Sequence, residues 1–165
     1  QYLNKRNYCG IESNHWVTED SLKIPEVKAV AENKQARFDW NENFDCSMFG
    51  EKFDYVFSHS ILSHAAHWQW PLFLQNIDAC AKQGTIILAS LHFTEGNQYG
   101  GPKWSGTELD FNTWQYPGVS FFRKETIFNL AREKGYKIRT DLVAPMLITQ
   151  AQRASVHTWI FLQKQ

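Results

Sequence analysis

The segment 58–67, SHSILSHAAH, places three histidines, His59, His64 and His67, within nine residues. An imidazole titrates near neutrality, so a histidine at the end of a strand facing a cleft is suited to accept a proton. His59 and His64 are therefore the catalytic candidates. A metal is the rival chemistry, because His64 and His67 are spaced to meet on one helix face. The run carries no carboxylate or cysteine to complete a ligand set, and no metal is expected. At least one of the three is expected simply to be hydrogen-bonded in a loop.

Carboxylates stand in two comparable places. Glu12, Ser13 and Asn14 follow the apolar start of the run 8–13 (YCGIES), and Asp39 and Trp40 close the run 36–40 (ARFDW). A glutamate at a strand end can accept two hydrogen bonds from a ribose diol; equally, it can sit in solvent near a helix N-terminus. An aspartate at the next strand end can accept the exocyclic amine of an adenine, with Phe38 or Trp40 over the ring. Its bland role is to form a turn.

These residues need strands to carry them. Residues 8–13, 36–40, 53–60 and 85–93 read as buried strands, and 136–143 and 156–163 as two more near the end. Helices are expected after Ser13 or Asn14, briefly over 26–33, over 65–81 with Pro71 in the first turn and Gly84 as the stop, and over 123–134 ended by Gly135. Alternating strands and helices mean an α/β fold with a mostly parallel sheet and helices on both faces. The closing helix-strand-strand order predicts an antiparallel last strand. In such sheets ligands bind at the carboxyl ends of strands, where the candidates stand. Residues 94–120 show little periodicity and read as a lid or acceptor loop containing Tyr99, Trp104, Trp114 and Tyr116.

Composition narrows the function classes. With 165 residues, one domain is expected over 1–165. Seventeen basic and seventeen acidic residues give no net charge, which argues against duplex nucleic acid and anionic membranes as partners. No apolar run reaches the roughly 20 residues that span a bilayer. The polar start has no signal-peptide core, and a cytoplasmic location is expected. Cys9, Cys46 and Cys80 are odd in number and show neither metal-binding nor disulfide spacing, so reduced, mostly buried thiols are expected. An oligomer is compatible with the sequence.

Taken in order, these segments resemble class I, Rossmann-like S-adenosylmethionine-dependent methyltransferases. Residues 8–14 are similar to the family's second strand ("yxGiExn"), and 53–64 to its fourth ("FDxvxsxsvlxHl"). Residues 74–91 are similar to the next helix and strand, where Lys82-Gln83-Gly84-Thr85 stands for "kpGGx". Residues 122–136 and 157–162 are similar to its late helix and final antiparallel strand. The resemblance implies S-adenosylmethionine as cofactor and methyl transfer to an oxygen or nitrogen of a small-molecule acceptor. It implies that Glu12, with Ser13 and Asn14, binds the ribose, and that Asp39 and Trp40 sit at the adenine. Ser58, His59 and Ser60 would lie along the methionine arm and the approach to the methyl group, and His64 matches a histidine common among small-molecule members.

The family's first strand and its "DxGxGxG" loop have no counterpart here. That strand lies at the centre of the family's sheet. Leaving its neighbours unpaired would cost about 1–3 kcal/mol per buried backbone group, so about 30–50 residues are expected ahead of Gln1. Two other readings stay open: a non-catalytic methyltransferase-like binding or scaffold domain, and a nicotinamide-dependent Rossmann enzyme.

Overall fold

The computed structural model describes residues 3–100, 113–114, 118–142 and 157–165. The chain divides into two compact units, Gln1–Glu51 and Lys52–Gln165, which are taken in turn.

In the first unit, β1 (Cys9–Ile11) and β2 (Arg37–Asp39) run parallel, with Ile11 opposite Asp39. Among the described residues β2 is the only strand paired with β1. Two helices connect them, α1 (His15–Ser21) and α2 (Pro25–Lys34). Pro25 opens α2, where its missing N–H costs nothing, and Gln35 closes it in the left-handed region at φ 51°. No residue of α2 is buried. Ile24, Val27 and Val30 are 50%, 41% and 61% exposed, and a cavity of about 820 Å³ opens between α1, α2 and the strands.

The second unit holds the larger sheet. β3 (Phe53–Ser58) pairs in parallel with β4 (Ala81–Thr94), and β4 pairs antiparallel with β8 (Thr158–Lys164), which borders β7 (Tyr136–Ile138). The expected antiparallel last strand is present. β6 (Val119–Arg123) joins β4 in parallel, and β5 (Gln98–Gly100) adds to β6 antiparallel. The mixed α/β architecture, with parallel strands carrying the candidate ends, agrees with the reading of the sequence.

One face of this sheet is sealed. Ile87, Ala89 and Leu91 of β4 and Ile160 and Leu162 of β8 are at most 2% exposed. The helices α3 (Gln69–Cys80) and α4 (Lys124–Glu133) pack on each other and contribute Trp70, Phe73, Leu74, Ile77, Ile127 and Ala131 to the core. Their spacing forms the apolar stripe an amphipathic helix buries. On the opposite face Tyr55 and Phe57 of β3 are 68% and 67% exposed.

Some boundaries differ from expectation. α3 ends at Cys80, and Gly84, at φ 87°, lies in an irregularity of β4 where Phe53 opposes Ala81 but Tyr55 opposes Ile86. Thr85 closes that excursion, its hydroxyl donating to the Phe53 carbonyl. Beyond β7 the chain turns into a 3-10 helix over Thr140–Leu142 instead of continuing as strand. The loop reading of 94–120 is corrected at both ends by β5 and β6; residues 101–112 and 115–117 lie outside the described residues, as does 143–156.

Candidate cofactor and acceptor sites

In the first unit the two candidate carboxylates share one sheet end. Glu12 follows β1 directly, and its backbone N–H donates to the Asp39 carbonyl at 3.1 Å. Three donors converge on Glu12 Oε1: the Asn14 backbone N–H (3.0 Å), Asn14 Nδ2 (3.3 Å) and the Ser13 hydroxyl (3.3 Å). Ser13 and Asn14 therefore orient the Glu12 carboxylate. Asp39 is held in the same way by Asn41, whose Nδ2 donates to Asp39 Oδ2 at 2.6 Å and to the Asp45 carbonyl at 2.9 Å. Beside Asp39, Trp40 stacks on His15 with ring centroids 4.6 Å apart and planes 12° from parallel. Trp40 stays 40% exposed, so the pair presents a flat surface next to a carboxylate. His15 was not singled out from the sequence; its partner lies 25 residues away and only the strand pairing joins them.

In the second unit Ser58 ends β3. It is 5% exposed, and its hydroxyl oxygen has no hydrogen-bond partner among the described residues. Ser60 has φ 58°, a conformation uncommon for a residue with a side chain. Its N–H donates to the Ser90 hydroxyl at 2.8 Å, which holds the turn against β4.

His59 points over the middle strand. The register pairs Ser58 with Ala89 and Ser90 with Trp159, so Ser90 lies between His59 and Trp159. A small residue there lets the flanking rings meet, and His59 stacks on Trp159 at 5.1 Å and 14°. Phe57 stacks on the same indole at 5.5 Å. The antiparallel register that pairs Leu91 with Thr158, carried one residue further, sets His92 opposite His157. Their centroids are 4.3 Å apart, and His157 lies 5.9 Å from His59. Burial, then the neighbouring His92, His59 and His64, holds the His157 pKa below its ordinary value. His157 and Trp159 were visible in the sequence only as members of a strand rich in β-formers; nothing in spacing could tie residue 157 to residue 59.

The other two histidines of the run face β6. His64 Nδ1 lies 3.0 Å from the Gly118 carbonyl, and the Trp114 indole N–H donates to the His64 carbonyl at 2.9 Å. His67 Nε2 lies 2.9 Å from the Phe121 carbonyl, and its ring stacks on Tyr99 at 4.0 Å. Between them the Ser120 hydroxyl donates to the Ala65 carbonyl. Burial lowers the His67 pKa, opposed by the carbonyls of Phe121 and Gln98. Among the described residues, no three potential ligands are arranged to hold a metal ion, and no helix is long and apolar enough to cross a membrane.

No family model and no curated protein matches the chain by sequence. Solved structures do match it. A SAM-dependent methyltransferase from Methanosarcina mazei aligns at 14% identity and TM-score 0.59, over 94% of this chain and 81% of that one. The 1,6-didemethyltoxoflavin-N1-methyltransferase of Burkholderia thailandensis, solved with 1,6-didemethyltoxoflavin and S-adenosylhomocysteine, aligns at 14% and 0.57, over 97% and 72%. The [4+2]-cyclase SpnF aligns at 11% and 0.54, over 94% and 66%. Other matched chains are longer, and this chain spans as little as 49% of them. At these identities the likeness concerns the backbone, and the cyclase is a reminder that one fold serves several reactions. The chain has the Rossmann-like fold of the class I SAM-dependent methyltransferases.

Proposed function

We propose that this protein binds S-adenosylmethionine and directs methyl transfer to an oxygen or nitrogen of a small-molecule acceptor. The observation that carries this reading is the pairing of Glu12 and Asp39 at the carboxyl ends of adjacent parallel strands, in a fold whose ligands bind at strand ends. The acceptor groups suit the cofactor. Glu12, fixed through Oε1, would accept the ribose hydroxyls, with Ser13 and Asn14 holding it. Asp39 would accept the adenine amine, and Trp40 with His15 would cover the ring. Ser58, with its buried hydroxyl, and Ser60, with its turned backbone, would line the methionine arm.

When bound, the cofactor supplies a methyl group on a sulfonium. The residues of the chain would then mainly hold the acceptor in line, which is worth up to about 7–11 kcal/mol. His59 would stand at the approach to the methyl group, and His64, bonded to Gly118, would position β6.

Isothermal titration of the full-length protein with S-adenosylmethionine tests the reading. Binding that weakens in Glu12→Ala and Asp39→Ala is expected; no binding to the unaltered chain defeats it. The runner-up is a non-catalytic binding or scaffold domain. It predicts cofactor binding, or none, without methylated product from any acceptor.

A further inference from the structure

We infer that His157 is the group that takes the acceptor's proton, and that the acceptor is a planar, hydroxyl-bearing molecule of the phenol class. The inference rests on the methyl-transfer reading above.

Three strands bring imidazoles to one face of the sheet at one end. His59 follows β3, His92 ends the buried part of β4, and His157 immediately precedes β8. The rings touch in sequence, His92 on His157 at 4.3 Å and His157 near His59 at 5.9 Å. The antiparallel course of β8 makes this possible, because its first residues lie beside the last residues of the parallel β4. A core packs apolar groups at such an end more cheaply than three imidazoles; a cluster of titratable rings at the carboxyl end of parallel strands, where this fold binds ligands, suits proton transfer.

The three rings are not equivalent. His92 is 8% exposed and wedged between His157 and Phe121, 5.4 Å away. His59 is exposed and stacks on Trp159 with planes 14° apart, a run of flat rings that a planar acceptor would continue. His157 is half-buried between them. The charged or titratable groups facing it are His92 of β4, His59 after β3 and His64 of the following turn, and with burial they keep it unprotonated near neutrality. In the step, the acceptor O–H bond breaks, the proton bonds to the His157 lone pair, and the O–H electron pair stays on oxygen. A modest base suffices, since the hydroxyl grows more acidic as its oxygen bonds to carbon.

The test uses the full chain carrying ¹⁵N in its histidine side chains, titrated with p-nitrophenol at neutral pH. Of the six imidazoles, the one whose resonances shift furthest toward the protonated position should be the one missing from His157→Gln. If that variant does not fold, His→Gln changes at the other five positions assign the resonance by elimination. No shift, or a largest shift at another histidine, overturns the inference. Calorimetry with S-adenosylmethionine on the same sample separates the two readings. Absent cofactor binding with the His157 shift intact removes the methyl-transfer reading and leaves His157 as a proton acceptor.

Discussion

The backbone N–H of Glu12 donates to the carbonyl of Asp39 at 3.1 Å, so the two carboxylate residues sit side by side at the end of the β1–β2 pair. Each carboxylate is oriented by its own amide neighbour, Asn14 or Asn41. A Glu12→Gln change keeps the shape and removes the charge. A hydrogen bond to a charged group is worth about 1.5–3 kcal/mol, which corresponds to roughly a 10- to 150-fold weaker Kd for S-adenosylmethionine by calorimetry. Asp39→Asn should weaken it in the same direction. An unchanged Kd in both would remove the carboxylates from the site.

Ser90 is the small residue that lets His59 and Trp159 stack across β4, and its hydroxyl accepts the Ser60 N–H. Ser90→Leu adds bulk between the two rings and removes that acceptor. Overpacking costs about 1–3 kcal/mol, and the orphaned N–H adds a comparable amount. Ser90→Ala removes only the acceptor, so it should cost less. Urea unfolding should rank the chains wild type, Ser90→Ala, Ser90→Leu in falling stability; a Leu variant as stable as the Ala variant would contradict the packing account.

The legible and illegible parts of the two units divide along sequence separation. Glu12, Asp39 and Ser58 each follow an apolar run, so strand periodicity alone puts them at strand ends. The late helix and antiparallel last strand were equally readable, since Ile127 and Ala131 fall on one face and residues 158–162 are rich in β-formers. The ring contacts were not. His15 on Trp40, and His157 on His92 and His59, are created by register, which depends on pairings between distant segments. The run 58–67 holds three histidines of its own, yet two of those serve β6. The strands β5 and β6 were missed because three to five residues among glycines carry too little alternation to register as strand.

His64 Nδ1 meets the Gly118 carbonyl and His67 Nε2 meets the Phe121 carbonyl, with the Ser120–Ala65 bond between them. The turn 64–67 thus fastens Gly118 and β6. His64→Ala should lose about 1 kcal/mol of stability, the usual net value of one hydrogen bond. Amide hydrogen exchange should speed up at residues 118–123 more than in β8. If exchange rises equally in both strands, His64 supports the whole sheet and not β6 in particular.

Burial lowers the pKa of both His67 and His157 from the ordinary 6.5. A group whose folded pKa lies below its unfolded value binds protons less readily in the folded chain. Between the two values the unfolded chain therefore carries more protons, and stability rises with pH there. The contribution is full above 6.5 and is lost as pH falls through the depressed folded values. Asp141 acts in a separate window. Hydrogen bonding from Arg139 brings its pKa from 3.8 to about 2, so its contribution fades only as pH falls below its ordinary value. Urea midpoints measured from pH 8 to pH 5 should stay level above about pH 7 and then decline. His67→Gln, which keeps a donor for the Phe121 carbonyl and removes the titration, should flatten part of that decline, and adding His157→Gln should flatten more. A midpoint that climbs as pH falls from 7 to 5, or a slope identical in all three chains, would show that these two imidazoles do not couple folding to protons.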